Sequence, residues 1–242
     1  MTNFLFMMMI FSLVSCNTSL KDSQKIIDKA IEVAGGEKYL HSTIEFDFRD
    51  RHYIAQRKGG KYSYERILKD SVNTMHDFLT NDGFRREINN VLVDVADSMK
   101  VKYTSSVNSV IYFALLPYGL NDAAVSKKFM GETFVDSVEY YVIQISFAQE
   151  GGGEDHEDVF MYWINKKDFT IGYMAYSYEE TDGLGLRFRK AYNPRNVNGI
   201  LFLDYINLKP KDKTEITALE DLYKKGELQE LSKIELVNIQ VK

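Results

Sequence analysis

The chain has 242 residues, with one cysteine, three prolines, 16 tyrosines, 15 phenylalanines and one tryptophan, and its 30 basic against 35 acidic residues give a net charge of −5. One cysteine excludes an internal disulfide and a thiolate-rich zinc site, and the acidic balance lacks the basic stripe that nucleic acid requires. A 45% hydrophobic share is globular composition, and the length suits a single domain of ordinary to large size.

Phe4 to Val14 is a nearly unbroken apolar run. It is too short for a membrane-spanning helix, which needs about 20 residues, and has the length of a signal-peptide core. The run ends in Leu13-Val14-Ser15-Cys16, which resembles the bacterial lipobox. That resemblance implies cleavage before Cys16 and lipidation of its thiol by diacylglyceryl and palmitate-type chains. The expected organisation is a signal peptide over residues 1–15, a lipidated polar tether over 16–23 and one domain over 24–242. The expected address is the cell envelope, anchored in a membrane by lipid and facing the periplasm.

From Ser23 to Ala34 the apolar residues Ile26, Ile27, Ala30, Ile31 and Ala34 recur at helical spacing, and Gly35-Gly36 stops the pattern. The period then changes to two. Ile44, Phe46 and Phe48 alternate with Glu45, Asp47 and Arg49, as a half-buried strand does. Gly59-Gly60 and Asn81-Asp82-Gly83 are hairpin signals. Ser98 to Leu116 reads as a second helix, with Val107, Val110, Ile111 and Ala114 on one face and Pro117 at its end.

Strands follow at Val125–Met130, Thr133–Val138, Glu139–Ala148, Val159–Ile164, Thr170–Tyr178, Leu186–Tyr192 and Ile200–Leu208. A short charged helix over Thr217–Lys225 and a last strand over Ile234–Val241 complete the chain. Strands and helices do not alternate, which disfavours parallel βαβ architectures. Thr170–Tyr178 and Ile200–Leu208 are apolar or aromatic on both faces. A strand with one solvated face should not be, so the sheet is either covered on both sides or lines an apolar cavity. Gly131, Gly172 and Gly199 stand at or near strands and suit bends or bulges.

Three blocks carry a wider resemblance: Phe113-Ala114-Leu115-Leu116-Pro117-Tyr118-Gly119-Leu120, Tyr162-Trp163-Ile164-Asn165 with Gly172 to Tyr178, and Leu186 to Gly199. With Asp204-Tyr205 they resemble an uncharacterised bacterial lipoprotein family, a domain of unknown function. The order of strands and helices is similar to the lipoprotein-carrier (LolA/LolB-like) superfamily. The implied fold is mainly β (α+β): one strongly curved antiparallel half-barrel sheet, with an N-terminal helix and a central helix on the concave side. Proteins of that superfamily hold acyl chains in an apolar cavity, and the resemblance implies a lipid or other amphiphilic ligand here.

Candidate site residues fall into two sets. Tyr112, Phe113, Trp163, Tyr173 and Tyr176 are aromatics able to line a pocket, and Arg187 and Arg189, on one side of their strand, are able to meet an anionic headgroup. The other set is the loop Gly151-Gly152-Gly153-Glu154-Asp155-His156-Glu157-Asp158, where Asp155, His156 and Asp158 offer oxygen and imidazole donors for a divalent metal. Its spacing matches neither an EF-hand nor a zinc helix, and no Gly-x-Ser-x-Gly elbow is present. The sequence therefore favours a monomeric binding protein without cofactor over an enzyme. A metal-dependent enzyme at the Asp155–Asp158 loop and an envelope interaction protein stand as alternatives.

Overall fold

A computed structural model of the chain describes residues 22–150, 157–180 and 183–242. The signal run, Cys16 and residues 16–21 of the tether lie outside them. The first helix, α1 (Ser23–Ala34), begins where Asp22 accepts hydrogen bonds from the N–H groups of Gln24 and Lys25. It ends where Gly35, at φ 145°, returns its N–H to Ile31 and Glu32. Only glycine takes that φ without strain. Ile26, Ile27, Ala30 and Ala34 form its buried stripe.

Six strands follow: β1 (Thr43–Phe48), β2 (Arg51–Lys58), β3 (Lys61–Lys69), β4 (Thr74–Thr80), β5 (Gly83–Ile88) and β6 (Val91–Val93). Gly59 and Gly60 both have positive φ, the backbone of the tight β2–β3 turn. The second helix, α2 (Asp97–Ala114), is followed by β7 (Val125–Val135), β8 (Val138–Phe147), β9 (Phe160–Asn165), β10 (Ile171–Glu180), β11 (Gly183–Val197) and β12 (Ile200–Lys209). A short helix, α3 (Leu219–Lys224), precedes β13 (Gln229–Ile234) and β14 (Val237–Val241).

All pairings are antiparallel, in two seven-stranded ladders that do not close into a barrel. The first runs β14-β1-β2-β3-β4-β5-β6 and the second β13-β12-β11-β10-β9-β8-β7. This is the mainly β half-barrel expected from the sequence, with its hydrogen bonding divided in two. Helices α1 and α2 cover the inner face of both ladders. Val107 and Ile111 of α2 are buried with Ile44, Phe46, Tyr53, Tyr64 and Leu79 of the first ladder. Ile26, Ile27 and Ala30 of α1 are buried with Ile143, Ile145, Tyr162 and Met174 of the second. The outer face of the second ladder is covered too, where Leu219 of α3 packs on Trp163, Tyr173 and Phe188. Cover on both sides accounts for strands that are apolar on both faces.

Three elements differ from the sequence reading. Val125–Met130 and the first half of Thr133–Val138 are one strand, β7, with a register shift between Phe129 and Gly131, and Val138 already opens β8. Gly131 sits at φ 136°, so glycine here makes a bulge and not a chain reversal. Strand β11 runs past Tyr192 to Val197 because another shift, between Tyr192 and Arg195, absorbs Asn193-Pro194. The expected last strand, Ile234–Val241, is two strands on different ladders, β13 against β12 and β14 against β1.

The switch between ladders at Glu235-Leu236 is fixed by one carboxylate. Asp204 of β12, 1% exposed, accepts from Arg195 Nη1 at 2.5 Å and Nη2 at 2.7 Å, from Asn193 Nδ2 at 2.7 Å and from the Leu236 N–H at 3.0 Å. The second Arg195 nitrogen also donates to the Leu236 carbonyl at 3.1 Å. The β11 shift delivers Asn193 and Arg195, and the crossing chain delivers Leu236. Burial alone would raise the Asp204 pKa, but these hydrogen bonds outweigh it and hold the carboxyl below its usual range.

Asp204→Ala strands the Arg195 guanidinium and the Leu236 N–H, and is expected to cost about 3 kcal/mol in chemical denaturation. Because the carboxyl is held lower in the folded chain than in the unfolded one, its contribution is complete above about pH 4 and is lost as pH falls through the folded value. Asp204→Asn should therefore flatten the acid limb of the Tm–pH profile. An unchanged acid limb would show that the carboxylate does not hold the switch.

Candidate functional site

Beside the ladder switch lies a cavity of about 300 Å³. Its walls are Val110, Phe113 and Ala114 of α2, Leu203 and Tyr205 of β12, and Ile234 and Leu236 at the end of β13 and the crossing. Phe48 and Arg49, at the end of β1, also line it. The cavity is thus made where the two ladders part and α2 spans the gap.

One charged side chain is buried in this apolar wall. Arg189 of β11 is 8% exposed. Its guanidinium lies 4.2 Å from the Phe113 ring centroid and 4.9 Å from that of Tyr176, and its Nη2 donates to the Tyr176 hydroxyl at 2.7 Å. Its Nε is buried with no hydrogen-bond partner. Arg189 pairs with no carboxylate among the described residues. The carboxylate of Asp204, which lies on the neighbouring strand, is taken by Arg195 instead. Nearby, the Asn207 Oδ1 is also buried and unpartnered, while its Nδ2 donates to Ser232 Oγ at 3.3 Å. Burial pushes the Tyr205 hydroxyl well above the usual phenol range, so it stays neutral and able to donate.

The structure brings three of the candidate side chains together here: Phe113, Tyr176 and Arg189. Arg187 lies one pleat along the same strand, its guanidinium 4.8 Å from the Tyr178 ring centroid and its Nη1 on the Leu186 carbonyl. Tyr112 lines a second hollow across α2, of about 330 Å³, with Tyr64, Tyr118 and Phe147. Trp163 and Tyr173 lie on the outer face of the sheet and line neither hollow. The Trp163 indole donates to Glu220 Oε2 at 2.6 Å, and the Tyr173 hydroxyl to Asp136 Oδ2 at 2.8 Å. Tyr173 and Tyr176 are an odd number of residues apart on one strand, so they face opposite sides.

Of the metal candidates, Asp155 and His156 lie outside the described residues, and Asp158 is half-buried with a partner of its own. No group of three metal-ligating side chains occurs among the described residues. None of the described helices is long and apolar enough to cross a membrane. The sequence reading missed Leu203, Tyr205, Asn207, Ile234 and Leu236 as cavity residues. For Leu203, Tyr205 and Asn207 the signal was the two-faced apolar pattern of β12, which identifies burial without saying which face is left open; Ile234 and Leu236 lie outside that strand.

A family of unknown function (DUF6503) matches residues 2–236, and the chain belongs to that family. No curated protein matches the chain in sequence. A DUF1329-family protein from Desulfovibrio piger shares the fold, with a TM-score of 0.53 and 11% identity over 90% of this chain and 92% of that one. A LolA-superfamily protein from Nitrosomonas europaea is similar at a TM-score of 0.47 and 11% identity, over 90% of this chain and 92% of that one.

A buried cation without a counter-charge destabilises the empty protein. Arg189→Met keeps the length of the side chain and removes the charge. It is expected to leave the ligand-free protein at least as stable, with a gain of roughly 1 kcal/mol in urea denaturation. A loss of that size or more would mean that Arg189 is structural.

Proposed function

We propose that this family member is a lipid-anchored envelope protein that binds one single-chain amphiphile with an anionic head, its chain in the cavity beside the ladder switch and its head on Arg189. The observation that carries the reading is the Arg189 guanidinium, buried in an apolar cavity with an unused Nε–H and no carboxylate among the described residues. An anionic headgroup supplies the missing charge, and a guanidinium can meet a carboxylate with paired donors. The apolar walls suit an acyl chain. The volume of about 300 Å³ is at the small end of ligand pockets, which run from about 300 to 1,000 Å³, and favours one chain over several.

The remaining polar groups fit this reading. Asn207 Oδ1 accepts a donor such as a protonated headgroup or a water, and the Tyr205 hydroxyl donates one further hydrogen bond. The fold shared with the DUF1329-family protein supplies the scaffold. The resemblance of Leu13-Val14-Ser15-Cys16 to a lipobox supports attachment through Cys16, which keeps the cavity close to a membrane surface. Incorporation of an alkyne-palmitate label, lost in Cys16→Ser, tests that attachment.

Binding is tested with protein stripped of co-purified lipid, by calorimetry with dodecanoate and dodecanol. Both are expected to bind, dodecanoate more tightly. Arg189→Met should weaken dodecanoate by about 10- to 100-fold, the loss of one charge-assisted hydrogen-bonded contact, and leave dodecanol nearly unchanged. Ala114→Trp, which fills the cavity, should abolish both. Failure of either probe to bind, or equal weakening of the two by Arg189→Met, would overturn the reading.

A further inference from the structure

A second charged hollow lies on the inner face of the first ladder, under the N-terminal half of α2. It measures about 460 Å³ and is lined by Arg51, Arg66, Arg86, Lys102 and a single carboxylate, Asp77, together with Tyr103 and Ser106. The register explains the convergence. Arg66 of β3 is directly opposite Asp77 of β4, and Asp77 is directly opposite Arg86 of β5, so the three form one row across the sheet. On each strand the charge occupies a position whose same-face neighbours are Tyr64 and Leu68, Met75 and Leu79, or Phe84 and Ile88.

Asp77, 3% exposed, takes four hydrogen bonds, two from Arg66 at 2.9 and 2.6 Å and two from Arg86 at 2.6 and 3.0 Å. Arg66 Nη1 is held by Ser106 Oγ at 2.8 Å, and the Arg86 guanidinium stacks 3.8 Å from the Tyr103 ring centroid. The two arginines are thereby fixed, and each guanidinium has more N–H donors than Asp77 receives. Asp77 balances only one of them. Arg51 approaches from β2 with its nearest carboxylate, on exposed Asp50, at 3.7 Å, and Lys102 enters from α2 with no ion pair among the described residues.

Four cations converge on one carboxylate, in a chain that is acidic overall. Converging like charges repel, and the arrangement is relieved by an anion that accepts donors from several directions. We propose that this hollow is an oxyanion site for a phosphate dianion, presented as free hydrogen phosphate or as the phosphate monoester of a lipid headgroup, with Arg66 and Arg86 as the fixed floor and Arg51 and Lys102 as the closing pair. It is separate from the Arg189 cavity, whose lining residues it does not share.

The test is thermal melting and calorimetry of the full chain at constant ionic strength, with inorganic phosphate and with dihexanoyl phosphatidic acid. The variant carries Arg51→Gln and Lys102→Gln, both at accessible side chains and both relieving like-charge repulsion, so its melting in chloride should match or slightly exceed that of the parent. Saturable stabilisation of the parent by phosphate, weakened at least 10-fold in the variant, is the expected result. Tighter binding of the phosphatidic acid with the same dependence assigns the site to a lipid headgroup, and equal affinity assigns it to free phosphate. Absence of binding by both probes, or equal binding by parent and variant, overturns the proposal, as does loss of phosphate binding on Arg189→Met.

Discussion

The architecture depends on the carboxylate of Asp204. Two ladders of antiparallel strands must share one inner face, and the chain has to cross between them after β13. A crossing strand leaves the pairing of one sheet before it joins the other, and its backbone groups need partners inside the protein. Asp204 accepts the Leu236 N–H at that point, and Arg195, itself bound to Asp204, donates to the Leu236 carbonyl. Side chains of β11 and β12 thus take over from the ladder for the residue in transit. The charges stay fully matched, which is what makes a buried carboxylate tolerable there.

The cavity follows from that crossing. Where the ladders separate, their inner faces diverge, and α2 covers the gap without filling it. Leu236 is at once the residue whose backbone Asp204 holds and a wall of the cavity. The arginines of the inner face and the switch divide by what they meet. Arg195 has the carboxylate of Asp204 at 2.5 Å, and Arg66 and Arg86 share that of Asp77 at 2.6 Å. Arg189 has two aromatic rings and a phenol instead. Among the buried charged side chains of the described residues, Arg189 is the one without an ion pair, and its proposed role rests on that difference.

Much of this was legible in the residues. Helical spacing and the Gly35-Gly36 stop located α1 to the residue, and the two-residue period with its glycine turns located most strands, because those signals are local. What was lost depended on partners distant in sequence. In Ile234 to Val241 the alternation slips by one residue at Leu236-Val237, a local mark of a break, but nothing nearby says that the two halves join different ladders or that Asp204, 32 residues away, holds the crossing. In β10 the register shift between Ile171 and Tyr173 puts Ile171 on the inner face with Met174, where strict alternation would place it with Tyr173. Trp163 and Tyr173 were aromatic enough to suggest a pocket, but α3 covers their face, and a short charged helix does not announce what it packs against. The ions of β3, β4 and β5 each interrupt an apolar face, and only the strand register reveals that they share one row.

The central claim is that Arg189 is held ready for an anionic head inside an apolar cavity. The most direct measurement is the Nε–H resonance of Arg189 in a ¹H–¹⁵N spectrum, assigned by its disappearance in Arg189→Met and followed as dodecanoate is added to lipid-free protein. The account predicts a saturable shift of that resonance, complete at one equivalent of ligand, with the Nε–H resonance of Arg195 unmoved. A resonance that stays in place while dodecanoate binds would put the head elsewhere and contradict the account.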